Sequence, residues 1–198
     1  HPLGLDGTSS FDAPTIPLEI DRVKQGSPTT EINIDVNFPA NAPALRTEDF
    51  GPIVIDPSDP TTYNFSQSLT LFDDNGQPYS ATIYYQKASD NSNFEGDQID
   101  TWDVEVFIGD DTEKSLLMGL SFNEDDGQIY AGVIGANNGT GTFDPGQIDA
   151  DPVENRSQAI TFNINAKNYS SVFEVVSQNT DGSAEGNLVN INIDGDGS

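Results

Sequence analysis

The stretch that decides the fold is Thr62-Tyr63-Asn64-Phe65-Ser66-Gln67-Ser68-Leu69-Thr70-Leu71-Phe72-Asp73-Asp74-Asn75-Gly76-Gln77-Pro78-Tyr79-Ser80-Ala81-Thr82-Ile83-Tyr84-Tyr85-Gln86-Lys87. Apolar side chains fall on alternate positions on both sides of Asp73-Asp74-Asn75-Gly76. They are Tyr63, Phe65, Leu69 and Leu71 before it, and Tyr79, Ala81, Ile83 and Tyr85 after it. A period of two puts successive side chains on opposite faces of a strand, so each run predicts a half-buried strand, with Gln67 as the flaw. Asn-Gly accepts the positive φ angles of a type I′ turn, which predicts a hairpin joining strands near 62–72 and 78–88.

The alternation continues in both directions. Ile32, Ile34, Val36 and Phe38 alternate with Glu31, Asn33, Asp35 and Asn37. Downstream come Trp102, Val104, Val106 and Ile108, then Leu116, Met118, Leu120 and Phe122. Ile160, Phe162 and Ile164 follow, then Val172, Phe173 and Val175, and finally Leu188, Val189, Ile191 and Ile193. Asp125-Asp126-Gly127 and Asp181-Gly182 carry turn chemistry. Pro52, Pro57 and Pro60 make 50–61 a loop or an edge-like extended segment. Residues 135–157, rich in Gly, Asn, Asp and Pro, read as a long surface loop. No long stretch carries a 3.6-residue period. The expected fold class is all-β: an antiparallel β-sandwich or barrel-like body with long loops and no substantial helix.

Composition narrows the function. The chain has 198 residues, Asp+Glu of 33 against Lys+Arg of 7, a net charge of −26 and a pI near 4.1. A body this negative repels a phosphate backbone and an anionic membrane surface, which argues against both as partners. No apolar run approaches the ~20 residues of a spanning helix. No basic segment followed by an apolar one reads as a signal peptide. There is no Cys, and His1 is the sole His. That removes disulfides, thiolate chemistry, Ser-His-Asp catalysis and His-based metal sites. The acidity alone suits a surface that resists salting out. The chain does not open on Met and stops within Asp194-Gly195-Asp196-Gly197-Ser198, a turn that should lead into another strand, so it reads as a piece of a longer protein.

Several motifs in order resemble the bacterial flagellar hook protein. Pro57-Ser58-Asp59-Pro60-Thr61-Thr62-Tyr63-Asn64 followed by a strand and Phe72-Asp73-Asp74-Asn75-Gly76 is similar to a T-Y-N, strand, Y-D-x-x-G pattern of that family's outer β domain. Tyr79 to Lys87 resembles its strand ending in V-Y-F-x-K, and Trp102-Asp103-Val104 its W-x-V. Pro17-Leu18-Glu19-Ile20 with Thr30 to Ile34 and Asn37-Phe38 resembles the way into that domain, with Phe38 in place of the usual Leu. Ser177 to Gly182, Gly186-Asn187-Leu188 and Ile193 to Gly197 resemble the way out, departing at Ala184 and Asn187. The resemblance spans roughly 15–198, without support from 123–158.

It implies a structural subunit of the hook, a flexible universal joint carrying motor torque to the filament, and no enzyme. It divides the chain into base segments 1–27 and 178–198, leading toward a coiled-coil inner tube, and an outer β domain at 28–177. The segments 15–27 and 178–198 should then lie close together. The implied partners are copies of itself in a helical assembly, with rod and hook-associated proteins in the intact flagellum, and the piece alone should be monomeric. The implied location is extracellular, after export by the flagellar secretion apparatus without a cleaved signal peptide.

Candidate sites stand beside plainer readings. Asp73 to Gly76, Asn123-Glu124-Asp125-Asp126-Gly127 and Asp194 to Gly197 suggest oxygen-rich calcium loops, and a calcium-dependent extracellular adhesin is the alternative function. The full EF-hand pattern is missing, and Asp/Asn/Gly β-turns on a solvated surface explain all three. No carboxylate pair stands out as a glycosidase pair. Tyr63, Tyr79, Tyr84, Tyr85, Trp102 and Tyr130 could form a sugar-stacking face, as in a carbohydrate-binding module. Tyr63, Tyr79, Tyr85 and Trp102 share the phase of their strands' aliphatics, so core packing with the polar tip at the surface is expected. Tyr84, on the opposite phase, is the expected exposed ring and a candidate subunit contact. No catalytic, cofactor-binding or metal residue is assigned.

Overall fold

The computed structural model describes residues 23–47, 51–94, 97–109, 116–129, 140–143, 159–169 and 172–187. Alternating, β-branched and aromatic sequence produces strands throughout: β1 Val23–Lys24, β2 Glu31–Pro39, β3 Arg46–Thr47, β4 Gly51–Pro52, β5 Phe65–Phe72, β6 Pro78–Phe94, β7 Asp97–Ile108, β8 Leu116–Asn123, β9 Thr140–Phe143, β10 Ile160–Tyr169, β11 Glu174–Thr180 and β12 Gly186–Asn187. No helix occurs among the described residues. By contacts the chain divides into residues 25–186 and residues 1–24 with 187–198. The expected strand at Leu188 to Ile193, the segment Pro17 to Ile20, the turn Asp194 to Gly197 and Tyr130 lie outside the described residues.

The 25–186 unit is an all-β sandwich, as expected. One sheet is an antiparallel meander, β5-β6-β7-β8; the other has the order β11-β2-β10-β9. One ladder departs from a purely antiparallel plan. β10 runs parallel to β2, with Ile34 opposite Ile164 and Val36 opposite Ala166. A parallel pair needs a long connection, and here the whole meander lies between the two strands in sequence. Strand β9 falls inside the stretch expected to be loop, pairing antiparallel with Ile160–Asn163. Its Thr140-Gly141-Thr142-Phe143 is too short and Gly-interrupted to show a period.

The inward rows meet as one core. Ile32, Ile34, Val36 and Phe38 of β2 pack with Leu69 and Leu71 of β5, Ile83 and Tyr85 of β6, Trp102 and Val104 of β7, and Phe122 of β8. Phe38 stacks on Trp102 at a 4.4 Å centroid distance and meets Tyr85 and Phe122 edge-on at 5.3 and 5.8 Å. Burying a side chain of this kind contributes about 1.5–3 kcal/mol, so this cluster dominates the stability. Two details differ from expectation. Tyr85 is fully buried with its hydroxyl enclosed, so its tip does not reach the surface, and burial pushes its pKa up. Trp102 likewise encloses its indole N–H. In the Val172, Phe173, Val175 run, Phe173 and Val175 are half-buried, but Val172 precedes β11 and is exposed.

The decisive hairpin forms, with a different turn. Gly76 N–H donates to the Asp73 carbonyl, and Asp73 N–H donates to the Gln77 carbonyl. Asp74 and Asn75 are therefore the central pair, and Gly76 follows them at φ 71°. A three-residue loop of this kind ends on a left-handed glycine, whereas the expected type I′ turn would centre on Asn75-Gly76. The Asp73 carboxylate decides it by accepting from both Asn75 N–H and Gln77 N–H at 2.8 Å.

Tyr84 is the clearest correction. It does point away from the main core, but residues 53–63 cover it. Tyr84 is 9% exposed and packs with Ile55, Phe107 and Tyr63 in a second cluster. Tyr63 joins that cluster because it precedes β5 and does not follow its phase. The covering loop is bonded to itself: Asp59 Oδ1 accepts from Thr61 N–H and hydroxyl, while Thr62 Oγ1 accepts from Asp56 N–H and donates to the Asp59 carbonyl. Gln86 Nε2 then ties it down through the carbonyls of Ile53 and Thr62, each at 2.6 Å.

Candidate functional site

The acidic turns spend their oxygens on their own backbone. Besides the two bonds to Asp73, Asn123 Oδ1 accepts from Asp125 N–H and Asp126 Oδ1 from Gln128 N–H. An Asx turn of this type aims a side-chain oxygen back at the chain. Among the described residues, no group of three or more His, Cys, Asp or Glu is arranged to hold a metal ion. The 123–127 turn serves packing. The Gly127 carbonyl accepts from Asn168 N–H, Gln128 Nε2 donates to the Tyr169 hydroxyl, and a Cβ on Gly127 would collide with the Asn168 carbonyl. It clips the end of β8 to the end of β10.

The chain leaves and re-enters the sandwich at one place. Ser27 and Ser183 exchange two backbone hydrogen bonds of 2.9 Å. Beside them the Asp181 carboxylate takes the N–H groups of Thr30 and Glu31 at 2.8 and 2.9 Å, and the Thr30 hydroxyl. Partial burial works to raise the Asp181 pKa, but these donors prevail and hold it below the usual aspartate value. Gly26, Gly76 and the backbone of 183–185 approach so closely that a Cβ on Gly76 would lie 2.8 Å from the Gly26 Cα. The hairpin turn thus rests on the neck formed by the two chain segments that meet at Ser27 and Ser183.

The two outward faces are polar and mostly neutral. On the mixed sheet, Asn163 Nδ2 donates to Glu31 and Asn33, and Asp35 accepts from both Asn165 and Ser177. The Ser177 hydroxyl and then the Asn165 amide pull the Asp35 pKa down. On the meander, Ser68 and Thr82 share a hydrogen bond at the floor of an open depression of about 720 Å³, walled by Asp56, Pro57 and Ser58. Tyr84 and Phe107 line it from below and present no exposed ring for stacking. Such surfaces can make hydrogen bonds and exclude little water.

The feature that the sequence reading missed is a buried ion pair. Lys87 Nζ lies 2.9 Å from Asp100 Oδ2, with both side chains buried. Nζ also donates to the Ala40 carbonyl, and Asn168 Nδ2 donates to the same Asp100 oxygen. The signal was present. Lys87 continues the inward phase of Ile83 and Tyr85, and Asp100 precedes Trp102 on the inward phase of β7. Opposite charges on the inward rows of adjacent strands can only meet each other. The pair joins β6, β7, β10 and the turn after β2.

The sequence profile of the family described as the flagellar basal body protein FlaE D2 domain matches residues 37–183. That range takes in the covering loop, the decisive hairpin, Lys87 and Trp102-Asp103-Val104. No curated protein sequence matches the chain.

Proposed function

The chain belongs to the flagellar basal body protein FlaE D2 domain family, the family of a flagellar hook protein domain, and on that premise we propose that it works as the outer body of a hook subunit, in a universal joint that passes motor torque to the filament. The family is structural and extracellular, and its members build the flagellum by self-assembly. The base segments 1–27 and 178–198 lead toward the inner tube, and 28–177 is the part neighbours touch. Copies of the same subunit are the principal partners, with rod and hook-associated proteins in the intact flagellum. Export through the flagellar secretion apparatus completes the reading.

One observation carries the mechanical part: on the outward face of the mixed sheet, amides and hydroxyls are already bonded to neighbouring carboxylates and amides, as in Asn165–Asp35–Ser177 and Asn163–Asn33. A subunit in a bending tube must stay folded yet slide past its neighbours. A large apolar interface would lock one geometry, whereas small, wet, polar contacts permit several. Net charge of −26 further limits contact strength. The test is polymerisation of the full-length chain with electron microscopy of the tubes at low and high ionic strength. Polymerisation and curvature should both change with salt. Tubes that form and bend identically at both would remove the electrostatic part, and a full-length chain that never polymerises would remove the assignment.

A further inference from the structure

Lys87 of β6, Asp100 of β7 and Asn168 of β10 meet in the dry interior, where they are 0%, 2% and 4% exposed. One oxygen joins them. Asp100 Oδ2 lies 2.9 Å from Lys87 Nζ and accepts from Asn168 Nδ2 at 2.8 Å. An amine and a carboxamide are thus held on the same carboxylate oxygen, with Nζ and Nδ2 no further apart than two hydrogen bonds laid end to end. The remaining amide atom, Asn168 Oδ1, is enclosed with no hydrogen-bond partner among the described residues, a costly state for a buried carbonyl.

The surroundings hold the three groups still and keep water out. On the ladders, Trp102 stands opposite Lys87, Phe122 opposite Asp100 and Phe38 opposite Asn168, and all three rings are fully buried. Lys87 N–H donates to Asn64 Oδ1 at 2.7 Å, and its carbonyl accepts from Leu45 N–H at 2.8 Å. Asn168 N–H donates to the Gly127 carbonyl at 2.9 Å. Groups fixed this closely react as if at very high concentration. Burial among rings also narrows the gap between the ion pair and its neutral form, and a buried lysine gives up its proton readily.

We propose that Lys87 and Asn168 join in an intramolecular isopeptide bond, with Asp100 as the catalytic residue. Asp100 takes a proton from the Lys87 ammonium, leaving a neutral amine beside a neutral acid. Nζ attacks Asn168 Cγ and forms the new C–N bond. Asp100 gives its proton to Nδ2 and receives one from Nζ, which its contact with both nitrogens allows. The Cγ–Nδ2 bond then breaks and ammonia leaves. Nothing is oxidised or reduced, and no co-reactant is consumed. The freshly folded chain holds Lys87 as an ammonium between Asp100 and the Ala40 carbonyl, so the neutral amine is the minor state and the bond forms slowly. It ties β6 of the meander to β10 of the mixed sheet, a covalent staple between the two layers. The inference is independent of the hook reading.

The experiment follows the intact mass of the folded full-length chain over several days at neutral pH, with trypsin mapping at each time. The chain should lose the mass of one ammonia, and cleavage after Lys87 should disappear in step. Tandem mass spectrometry should find one branched peptide that contains both Lys87 and Asn168. The same chain held in urea should give no branched peptide, because the three groups meet only in the fold. Asp100→Ala should slow branching by about a hundredfold or more, the usual worth of a positioned acid–base group. Asn168→Asp should release water in place of ammonia. Folded wild type that yields no branched peptide overturns the proposal whatever the variants do. Ammonia loss with Lys87 and Asn168 in separate peptides, or equal branching in urea, overturns it as well.

Discussion

At the scale of single residues, two polar groups hold places that apolar packing cannot specify. Lys87 and Asp100 neutralise each other inside the sandwich, and Asn168 and the Ala40 carbonyl take up further bonds. Removing one partner strands the other charge in a dry interior. Lys87→Met should therefore cost about 3–5 kcal/mol in urea unfolding, and Lys87→Met with Asp100→Leu should recover most of that loss. Asp181 acts at the neck instead. Its folded pKa lies below the unfolded aspartate value of about 3.9, so its contribution is complete above that pH and disappears as pH falls through the folded value. Asp181→Asn should lose about 1 kcal/mol at neutral pH, a figure reduced for partial exposure, and the gap from wild type should narrow in unfolding curves as the pH is lowered through the folded pKa of Asp181.

At the scale of elements, turns and loops do more than connect. The 123–127 turn and Gly109 separate two effects. Both glycines hold positive φ, 65° and 58°. A Cβ at Gly109 meets nothing within 4 Å, whereas at Gly127 it strikes the Asn168 carbonyl and the Tyr169 ring. Gly109→Ala should cost about 1–2 kcal/mol, the left-handed penalty alone. Gly127→Ala should cost clearly more in the same thermal unfolding comparison, because the clip between β8 and β10 must open. The 53–63 loop shows why element reading from sequence stops short. Alternation placed Tyr84 correctly on the outward face of β6. It could not show that Ile55, held by the Asp59–Thr61 and Gln86 bonds, would return to cover it.

At the scale of the whole molecule, an apolar core lies beneath outward faces of acids, amides and hydroxyls. Among the described residues one large aromatic and aliphatic cluster fills the sandwich and a smaller one lies under the 53–63 loop, while outward side chains such as Asn165, Asp35 and Ser177 bond to one another. Charges separated by more than about 10 Å are screened at 0.1 M salt, so subunit contacts should strengthen as salt rises from low values. Sedimentation of the full-length chain across a salt series should show more polymer with added salt up to that range. By itself the sequence determined the long strands β2, β5, β6, β7, β8 and β10, most of their inward rows, a hairpin at 73–76 and the family, because side-chain period and turn chemistry are local properties. Tertiary structure alone decided that β2 and β10 pair in parallel, that Tyr84 is covered, and that Asn168 and the Ala40 carbonyl close round Lys87 and Asp100. Each of these joins residues far apart in the chain, and no local pattern encodes which distant surface a given face will meet.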